Sequence, residues 1–360
     1  MIPRVIKDKI LQVYFLFRLP VLYLLKFLFA APAGGRADKI SRILVIRIDR
    51  IGDLILSLPL IDSLRAAYPA AKIDILVRPY LLGLAGMIKS IDNFIAYNGA
   101  FDALLRMPDR KYDVVIDMLR DYKIEPALVS LFSKAPVRIG FKGGFREVLF
   151  NRPVDQFEGS GKSMVDLGLE LLKPLNVPAS VTIPRLDAGN RPAKERLTIA
   201  IHPGGHYESQ RWPPARFALL VRKILERYGA KVVIIGGPDD RETAGRIIRA
   251  VDNSNVKAVF PAMKDLAHLL SSSGLLVCNN SGPLHLAAAL GVPTVSMMGP
   301  TDPVLWWPNG DNQIVVRKDA GCGPCSLGRC RPHGCMDLIT VEEVFDKVHS
   351  LLERLYGFKR

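Results

Sequence analysis

The run Cys278-Asn279-Asn280-Ser281-Gly282-Pro283-Leu284-His285-Leu286-Ala287-Ala288-Ala289-Leu290-Gly291 constrains this chain more than any other stretch. An apolar strand-like run, Leu275 to Val277, leads into it, and a second, Thr294 to Met297, follows. Between them small polar residues and glycine give way to a helix that the pattern opens at Pro283. Proline suits a first helical turn because the N–H it lacks would have no partner there. The other N–H groups and the helix dipole make such an end attractive to phosphate. His285 falls in that first turn, toward whatever occupies the terminus.

The device occurs twice more. Arg42 to Ile48 reads as a buried strand, being short, apolar and rich in β-branched residues. Asp49-Arg50-Ile51-Gly52-Asp53 follows it, then a helical pattern from Leu54 to Tyr68 and a strand from Lys72 to Val77. Farther on, Thr198-Ile199-Ala200-Ile201 runs into His202-Pro203-Gly204-Gly205, with a helix from Ala215 to Tyr228 and a strand from Lys231 to Ile235. Strand, glycine-bearing turn, helix and strand make one unit of a parallel sheet. None of the three loops reads G-x-G-x-x-G or G-x-x-x-x-G-K-[ST], so those two phosphate-binding fingerprints are absent.

Seven pieces in this order resemble glycosyltransferase family 9, the ADP-heptose:lipopolysaccharide heptosyltransferases. They are Ile43 to Pro59, His202-Pro203-Gly204, Arg211-Trp212-Pro213, Gly236-Gly237-Pro238-Asp239-Asp240, Pro261-Ala262-Met263, Ser281-Gly282-Pro283-Leu284-His285 and Gly299-Pro300-Thr301-Asp302-Pro303. The resemblance covers about Ile40 to Leu355. It implies an α/β chain of the GT-B architecture, two doubly wound, Rossmann-like parallel-sheet domains facing a cleft.

A chain of 360 residues has room for two such domains, each large enough to bury a core. The expected division is an acceptor-side domain over 39–185 and a donor-binding domain over 186–360, the latter with a cysteine-rich loop at 322–335. Pro178, Pro184, Gly189 and Pro192 give the joint between them a linker composition.

The net charge is +14, and the first 50 residues hold ten Lys/Arg against three Asp, an excess of +7. A basic surface selects an anionic partner: nucleic acid, acidic lipid or a phosphorylated glycolipid. Nucleic acid is the weaker choice, because no recognition motif accompanies the charge. Residues 1–38 contain apolar, aromatic runs interrupted by Arg18 and Lys26 and broken by Pro20. A spanning helix needs about 20 mostly apolar residues, and Arg18 would lie near its centre. Basic residues eight apart with aromatics between suit a helix lying in the membrane interface. The expected location is therefore the cytoplasmic face of an inner membrane, bound peripherally. A packed N-terminal helix is the plainer alternative.

Transfer from a nucleotide-diphosphate sugar needs a base for the acceptor hydroxyl and positive charge or N–H dipoles on the leaving diphosphate. Asp53, at the mouth of the first loop, is the base candidate, and the resemblance implies the same role; it equally suits the N-cap of a helix from Leu54. Arg47, Arg50 and Gly52 are candidates for the acceptor, with plain surface solvation the alternative for the arginines. For the donor, Gly204, Gly205, Ser281 and Gly282 offer backbone N–H groups, and Arg211 offers a bidentate fork. The resemblance implies that Asp240 accepts from ribose hydroxyls and that Met263 packs on adenine. His285 reads either as a phosphate ligand or as a structural histidine.

Two positions depart from the family's pattern. Gln210 stands where a lysine is usual, and Asn280 stands where an aspartate is usual. Each removes a charge from the donor site, which puts the heptose donor in question and not the fold. Four cysteines, Cys322, Cys325, Cys330 and Cys335, have a spacing compatible with structural zinc or a cluster, or with free or disulfide-linked thiols. Cys278 reads as strand packing. The resemblance implies no metal for the chemistry.

The sequence thus reads as an inverting glycosyltransferase with an ADP-heptose-like donor and an anionic glycolipid acceptor, and no nucleic-acid partner. The alternatives are a catalytically weakened relative that binds nucleotide sugar or glycolipid, or an enzyme for a different nucleotide sugar.

Overall fold

A computed structural model of the chain describes residues 18–29, 40–107, 110–121, 123–156, 161–187, 197–308, 310–325, 330 and 334–358. These divide into two compact units. One holds the described residues up to Arg50 together with Ser57–Thr182; the other holds Ile51–Leu56 and the described residues from Ile183 onward.

The first unit opens with a helix, α1, at 18–29. The sheet that follows uses β1 (Arg42–Arg47), β2 (Lys72–Val77), β3 (Asn93–Ala96), β4 (Val114–Asp117), β5 (Val137–Phe141) and β6 (Arg152–Val154). Helices α2 (Ile51–Ala67), α3 (Ala100–Arg106), α4 (Glu125–Phe132) and α5 (Met164–Glu170) connect or follow the strands. The order across the sheet is β3-β2-β1-β4-β5-β6, all parallel. Strands covered on both faces read as unbroken apolar runs, which is why Ile43, Leu44, Val45 and Ile46 are all inaccessible to solvent. α1 docks on this unit through Leu22, which joins Ala127, Leu131, Leu149 and Phe150, and through Phe29, whose ring lies 4.7 Å from that of Phe132.

The second unit repeats the plan. Its strands are β7 (Thr198–His202), β8 (Lys231–Ile235), β9 (Val256–Val259), β10 (Leu275–Asn279), β11 (Thr294–Met297) and β12 (Gln313–Val316). Its helices are α6 (Pro214–Tyr228), α7 (Arg241–Val251), α8 (Met263–Ser272), α9 (Gly282–Ala289), α10 (Pro303–Trp306), α11 (Gly334–Asp337) and α12 (Val341–Tyr356). The order is β12-β11-β10-β7-β8-β9, again parallel. Its core gathers Ile199, Phe217, Val232, Val277 and Leu351 around Trp212. Thr340 and Glu343 cap α12 reciprocally, which defines where that last helix begins.

In each unit the chain crosses from one half of the sheet to the other between the first and fourth strands. Ligands of open α/β sheets bind at the carboxyl ends of strands at such a switch point. In the first unit β1 ends at Arg47 beside Asp117 of β4. In the second β7 ends at His202 beside Asn279 of β10.

Two expected boundaries move. α2 begins at Ile51 and not at Leu54, so Asp53 is in the first helical turn and is not the N-cap. Its carboxylate still sits where the helix dipole favours negative charge. α9 begins at Gly282, with Ser281 extended before it at φ −157° and ψ 171°. The expected interface segment 1–38 is described only over 18–29, and its stretch Ile10 to Phe17 lies outside the described residues. No helix among the described residues is long and apolar enough to cross a membrane.

Candidate functional site

At the switch point of the second sheet, Asn279 is the bracket. It is fully buried; its Oδ1 accepts from Trp212 N at 3.0 Å, and its Nδ2 donates to Pro203 O at 2.8 Å and Gly204 O at 3.1 Å. One side chain thus fixes the loop after β7 to the end of β10 and to the start of the segment leading into α6. Trp212, wholly inaccessible, donates from Nε1 to Ile339 O at 3.0 Å. A buried amide left with any of these bonds unmade would cost about 1–3 kcal/mol, so the arrangement is specified as a unit.

Beside this bracket three side chains meet. His202 is buried at the end of β7, with Nδ1 3.1 Å from Ser281 Oγ and Nε2 3.8 Å from Asp240 Oδ2. Burial pulls its pKa down to about 4, with Arg211 adding to the effect and Asp240 opposing it, so the ring is neutral at physiological pH. Asp240 accepts from Gly237 N at 2.9 Å through Oδ2. It lies against two glycines: a Cβ on Gly204 would stand 2.5 Å from Asp240 Oδ1, and one on Gly236 would stand 2.6 Å from Asp240 Cβ. Space alone therefore selects glycine at both positions.

The other expected donor residues cluster here, in altered roles. Arg211 donates from Nε and Nη2 to Gly205 O at 3.0 and 2.8 Å. Two of the N–H groups expected to fork a phosphate are thus committed to a neighbouring carbonyl. Gln210 donates from Nε2 to Thr301 Oγ1 at 3.1 Å and accepts from Tyr207 N at 3.3 Å, which ties its loop to the segment 299–303. Asn280 is buried, its main-chain N–H donating to Met297 O at 3.0 Å. Met263 opens α8 and is half-buried, outside the core that its side chain would ordinarily join.

The first turn of α2, which belongs to this second unit, abuts the first turn of α9. A Cβ on Gly52 would lie 3.1 Å from His285 Cδ2, and one on Gly282 would lie 2.2 Å from Ile51 Cγ2. His285 is buried, 6.2 Å from the Trp306 ring centre, and its Nδ1 has no hydrogen-bond partner among the described residues. Burial lowers its pKa to about 4, while the Asp53 carboxylate nearby favours the protonated ring. A carboxylate and a neutral imidazole with an unused nitrogen are thus brought together at a helix terminus.

At the first sheet's switch point the reading of Arg47 changes. It is 2 % exposed, not a surface residue, and its Nη1 donates to Met118 O at 2.7 Å and to Asp49 Oδ2 at 3.2 Å. A fully buried guanidinium bonded to the loop after β4 is part of the framework. Arg50 is exposed, as an acceptor ligand requires.

The four late cysteines line one small cavity of about 20 Å³ together with Lys318 and Gly299, room for roughly a single water molecule. All are free thiols, and burial raises the Cys335 thiol. Among the described residues no three His, Cys, Asp or Glu side chains are placed to share a metal ion. Cys278 is buried within β10, as expected, and burial raises its thiol too.

Sequence reasoning singled out neither His202 nor Asn279 as a site residue, although both lie within quoted motifs. The signal was available in His202-Pro203-Gly204, where a histidine at a strand's carboxyl end precedes a glycine loop.

Comparison with known proteins places this architecture. The model of glycosyltransferase family 9 (heptosyltransferase) matches residues 104–334. Lipopolysaccharide heptosyltransferase 2 of Salmonella typhimurium is 25% identical over 345 residues, covering 86% of this chain and 98% of that protein. The solved E. coli ADP-heptose lps heptosyltransferase II superposes with a TM-score of 0.75 at 24% identity, over 87% of this chain and 99% of its own. E. coli heptosyltransferase WaaC with ADP gives a TM-score of 0.71 at 19% identity, over 86% and 99%.

Proposed function

The chain belongs to glycosyltransferase family 9, the heptosyltransferases, and from that membership we propose that it transfers a heptose or a related sugar from an ADP-linked donor to an anionic glycolipid of the lipopolysaccharide-core kind. It is a glycosyltransferase, and no cofactor is needed for the chemistry of its family. The observation that carries the donor half is the meeting of Asp240, His202 and Ser281 at the second sheet's switch point. A carboxylate there suits a ribose diol, and the N-terminus of α9 beside it suits a diphosphate. On this reading 186–360 binds the donor and 39–185 the acceptor.

The reaction is a single displacement. Asp53 takes the proton of the acceptor hydroxyl as its oxygen attacks the anomeric carbon. The bond from that carbon to the diphosphate oxygen breaks, the configuration inverts, and the nucleoside diphosphate leaves with the electron pair. Backbone N–H groups of Gly204, Gly205, Ser281 and Gly282 and the remaining N–H groups of Arg211 receive the developing charge. Pre-oriented donors of this kind are worth about 3–4 kcal/mol each when deleted from other enzymes. His285, neutral, lies within reach of the Asp53 charge, and its Nδ1 has no hydrogen-bond partner among the described residues. Arg50 and Gly52 border the acceptor.

α1 supports attachment to a membrane surface. Val21, Tyr23, Leu24, Phe27 and Leu28 are all more than half exposed on a helix whose N-terminal region carries the excess of +7. Apolar side chains above basic ones fit an anionic bilayer interface, and an inner-membrane cytoplasmic face follows from the acceptor. Zinc on Cys322, Cys325, Cys330 and Cys335 belongs to this reading only as a structural element. Metal analysis of purified protein decides it: one zinc per chain supports it and none removes it.

Calorimetry with ADP, UDP, GDP and CDP tests the donor assignment without any guess about the acceptor. Selective ADP binding is expected, together with loss of transfer but not of ADP binding in Asp53→Asn. Preference for another nucleotide would change the donor, and binding of none would overturn the reading.

A further inference from the structure

Ser281 Oγ carries one proton and has two acceptors at 3.1 Å, His202 Nδ1 and Asn279 O. His202, neutral, also carries one ring proton. If the Ser281 hydroxyl donates to Asn279 O, His202 must hold its proton on Nδ1 to reach Ser281, and Nε2 faces the Asp240 carboxylate as a bare lone pair at 3.8 Å. If instead the hydroxyl donates to His202, the ring proton moves to Nε2 and points at Asp240. The two arrangements exclude one another. Each leaves a different hydrogen-bond polarity at the two places a ligand would touch, Ser281 beside the α9 terminus and Asp240 between its glycines.

We propose that His202 is a positioning residue that couples the diphosphate-binding and diol-binding halves of the donor site by changing tautomer. The proposal rests on the nucleotide-sugar reading above. A diphosphate oxygen that accepts the Ser281 proton takes that proton away from His202, so the ring protonates Nδ1 and bonds to Ser281 Oγ from behind. Nε2 is thereby freed as an acceptor next to a carboxylate that is also an acceptor. A cis-diol, which offers two adjacent hydroxyl donors, satisfies both at once. No protons are gained or lost overall: the Ser281 hydroxyl keeps its proton and turns it toward the diphosphate, and one ring proton shifts from Nε2 to Nδ1. Protonation of the ring would satisfy both neighbours without any ligand, but burial and Arg211 hold it neutral, which keeps the two tautomers in play.

The test compares ADP with 2′,3′-dideoxy-ADP by calorimetry on the full chain. In the wild type, ADP is expected to bind about tenfold tighter than the dideoxy analogue, the worth of one net hydrogen bond. Ser281→Ala, on the far side of the imidazole from the diol, is expected to shrink that ratio at least threefold. In His202→Phe the ratio should fall toward one and become insensitive to Ser281→Ala. His202→Asn, whose amide nitrogen stands near Nδ1 but does not reach Asp240, serves if the phenylalanine variant fails to fold, and should be uncoupled in the same way. A histidine with a merely structural role would lower both affinities by one factor and leave the ratio unchanged; that result overturns the proposal. So does a Ser281 effect on the ratio that survives without His202. A wild type that binds ADP with no diol preference defeats the coupling alone, whereas a wild type that binds no ADP defeats the donor reading with it.

Discussion

Gly204→Ala isolates the geometry of the proposed donor site from its chemistry. Gly204 is not in the left-handed backbone region, so alanine is compatible with its conformation. On conformational grounds alone, the substitution would stabilise the protein by about 0.4–1 kcal/mol through the unfolded state. The structure dictates the opposite sign. The new Cβ would stand 2.5 Å from Asp240 Oδ1 and 2.8 Å from Asp240 Cγ, well inside contact distance. Asp240 has little room to yield, because it is buried and its Oδ2 holds the Gly237 N–H. Overpacking of this kind costs about 1–3 kcal/mol, and displacement of the carboxylate should weaken ADP by a comparable factor of about 5- to 150-fold. Urea unfolding measures the first and calorimetry the second. The double variant Gly204→Ala with Asp240→Ala removes the clash, so its loss of stability should be smaller than the sum of the single losses. A single variant at least as stable as the wild type, with unchanged ADP affinity, would refute the packing argument, as would strict additivity in the double variant.

Acid should destabilise the fold early. His202 and His285 titrate near 4 in the native state against about 6.5 unfolded, so the stability they confer is complete above 6.5 and is lost as pH falls toward 4. Each should remove about 2 kcal/mol by pH 5, and denaturant midpoints at pH 7 and 5 should converge when both are replaced by asparagine; an equally steep loss in that variant would contradict it. Phe27→Glu removes a side chain that is 85 % exposed and should lower partition of the full chain onto anionic phospholipid vesicles by about 10- to 150-fold, the worth of burying one large apolar side chain. Unchanged sedimentation with vesicles would move the contact away from α1. Gln210→Lys with Asn280→Asp should raise kcat/KM on ADP-heptose at least tenfold over the unsubstituted chain, since a cation on the leaving diphosphate is worth about 3–4 kcal/mol by analogy with oxyanion donors. No gain would mean that another sugar nucleotide is the native donor.

The architecture was legible because the central parallel strands are buried on both faces. β1, β7, β8 and β10 each carry an unbroken apolar run, over 43–46, 199–201, 232–235 and 275–278, with a glycine within a few residues of the strand's end. The edge strands were not. β6 is three residues with a proline at its centre, and β9 buries only its first residue, so neither leaves a pattern in one dimension. Helix starts slipped for a related reason. Gly52 and Asp53 belong to α2 because its first turn, through Ile51 and Gly52, is held against Gly282 and His285, and local propensity contains no trace of a contact made more than 200 residues away.

The site was legible by residue type and illegible by partnership. The glycines, Ser281 and His285 could be named because strand ends and helix starts mark where ligands can go, and Asp240 through the family resemblance. What the named arginines bond to could not be read. Arg47 and Arg211 looked like phosphate ligands, yet each gives N–H groups to a main-chain carbonyl. A guanidinium has five N–H groups, and burial of the loop decides how many remain for a ligand. The same reasoning runs the other way for His202 and Asn279, which belong to motifs but were not assigned work. Asn279 spends both amide protons and one carbonyl lone pair on holding the loop itself, and it is fully buried. His202 touches two residues proposed to face the ligand, 79 positions away at Ser281 and 38 away at Asp240, and it has one proton to share between them. A sequence shows which groups can bond; only the fold shows which bonds compete, and a site's responsiveness to its ligand comes from that competition.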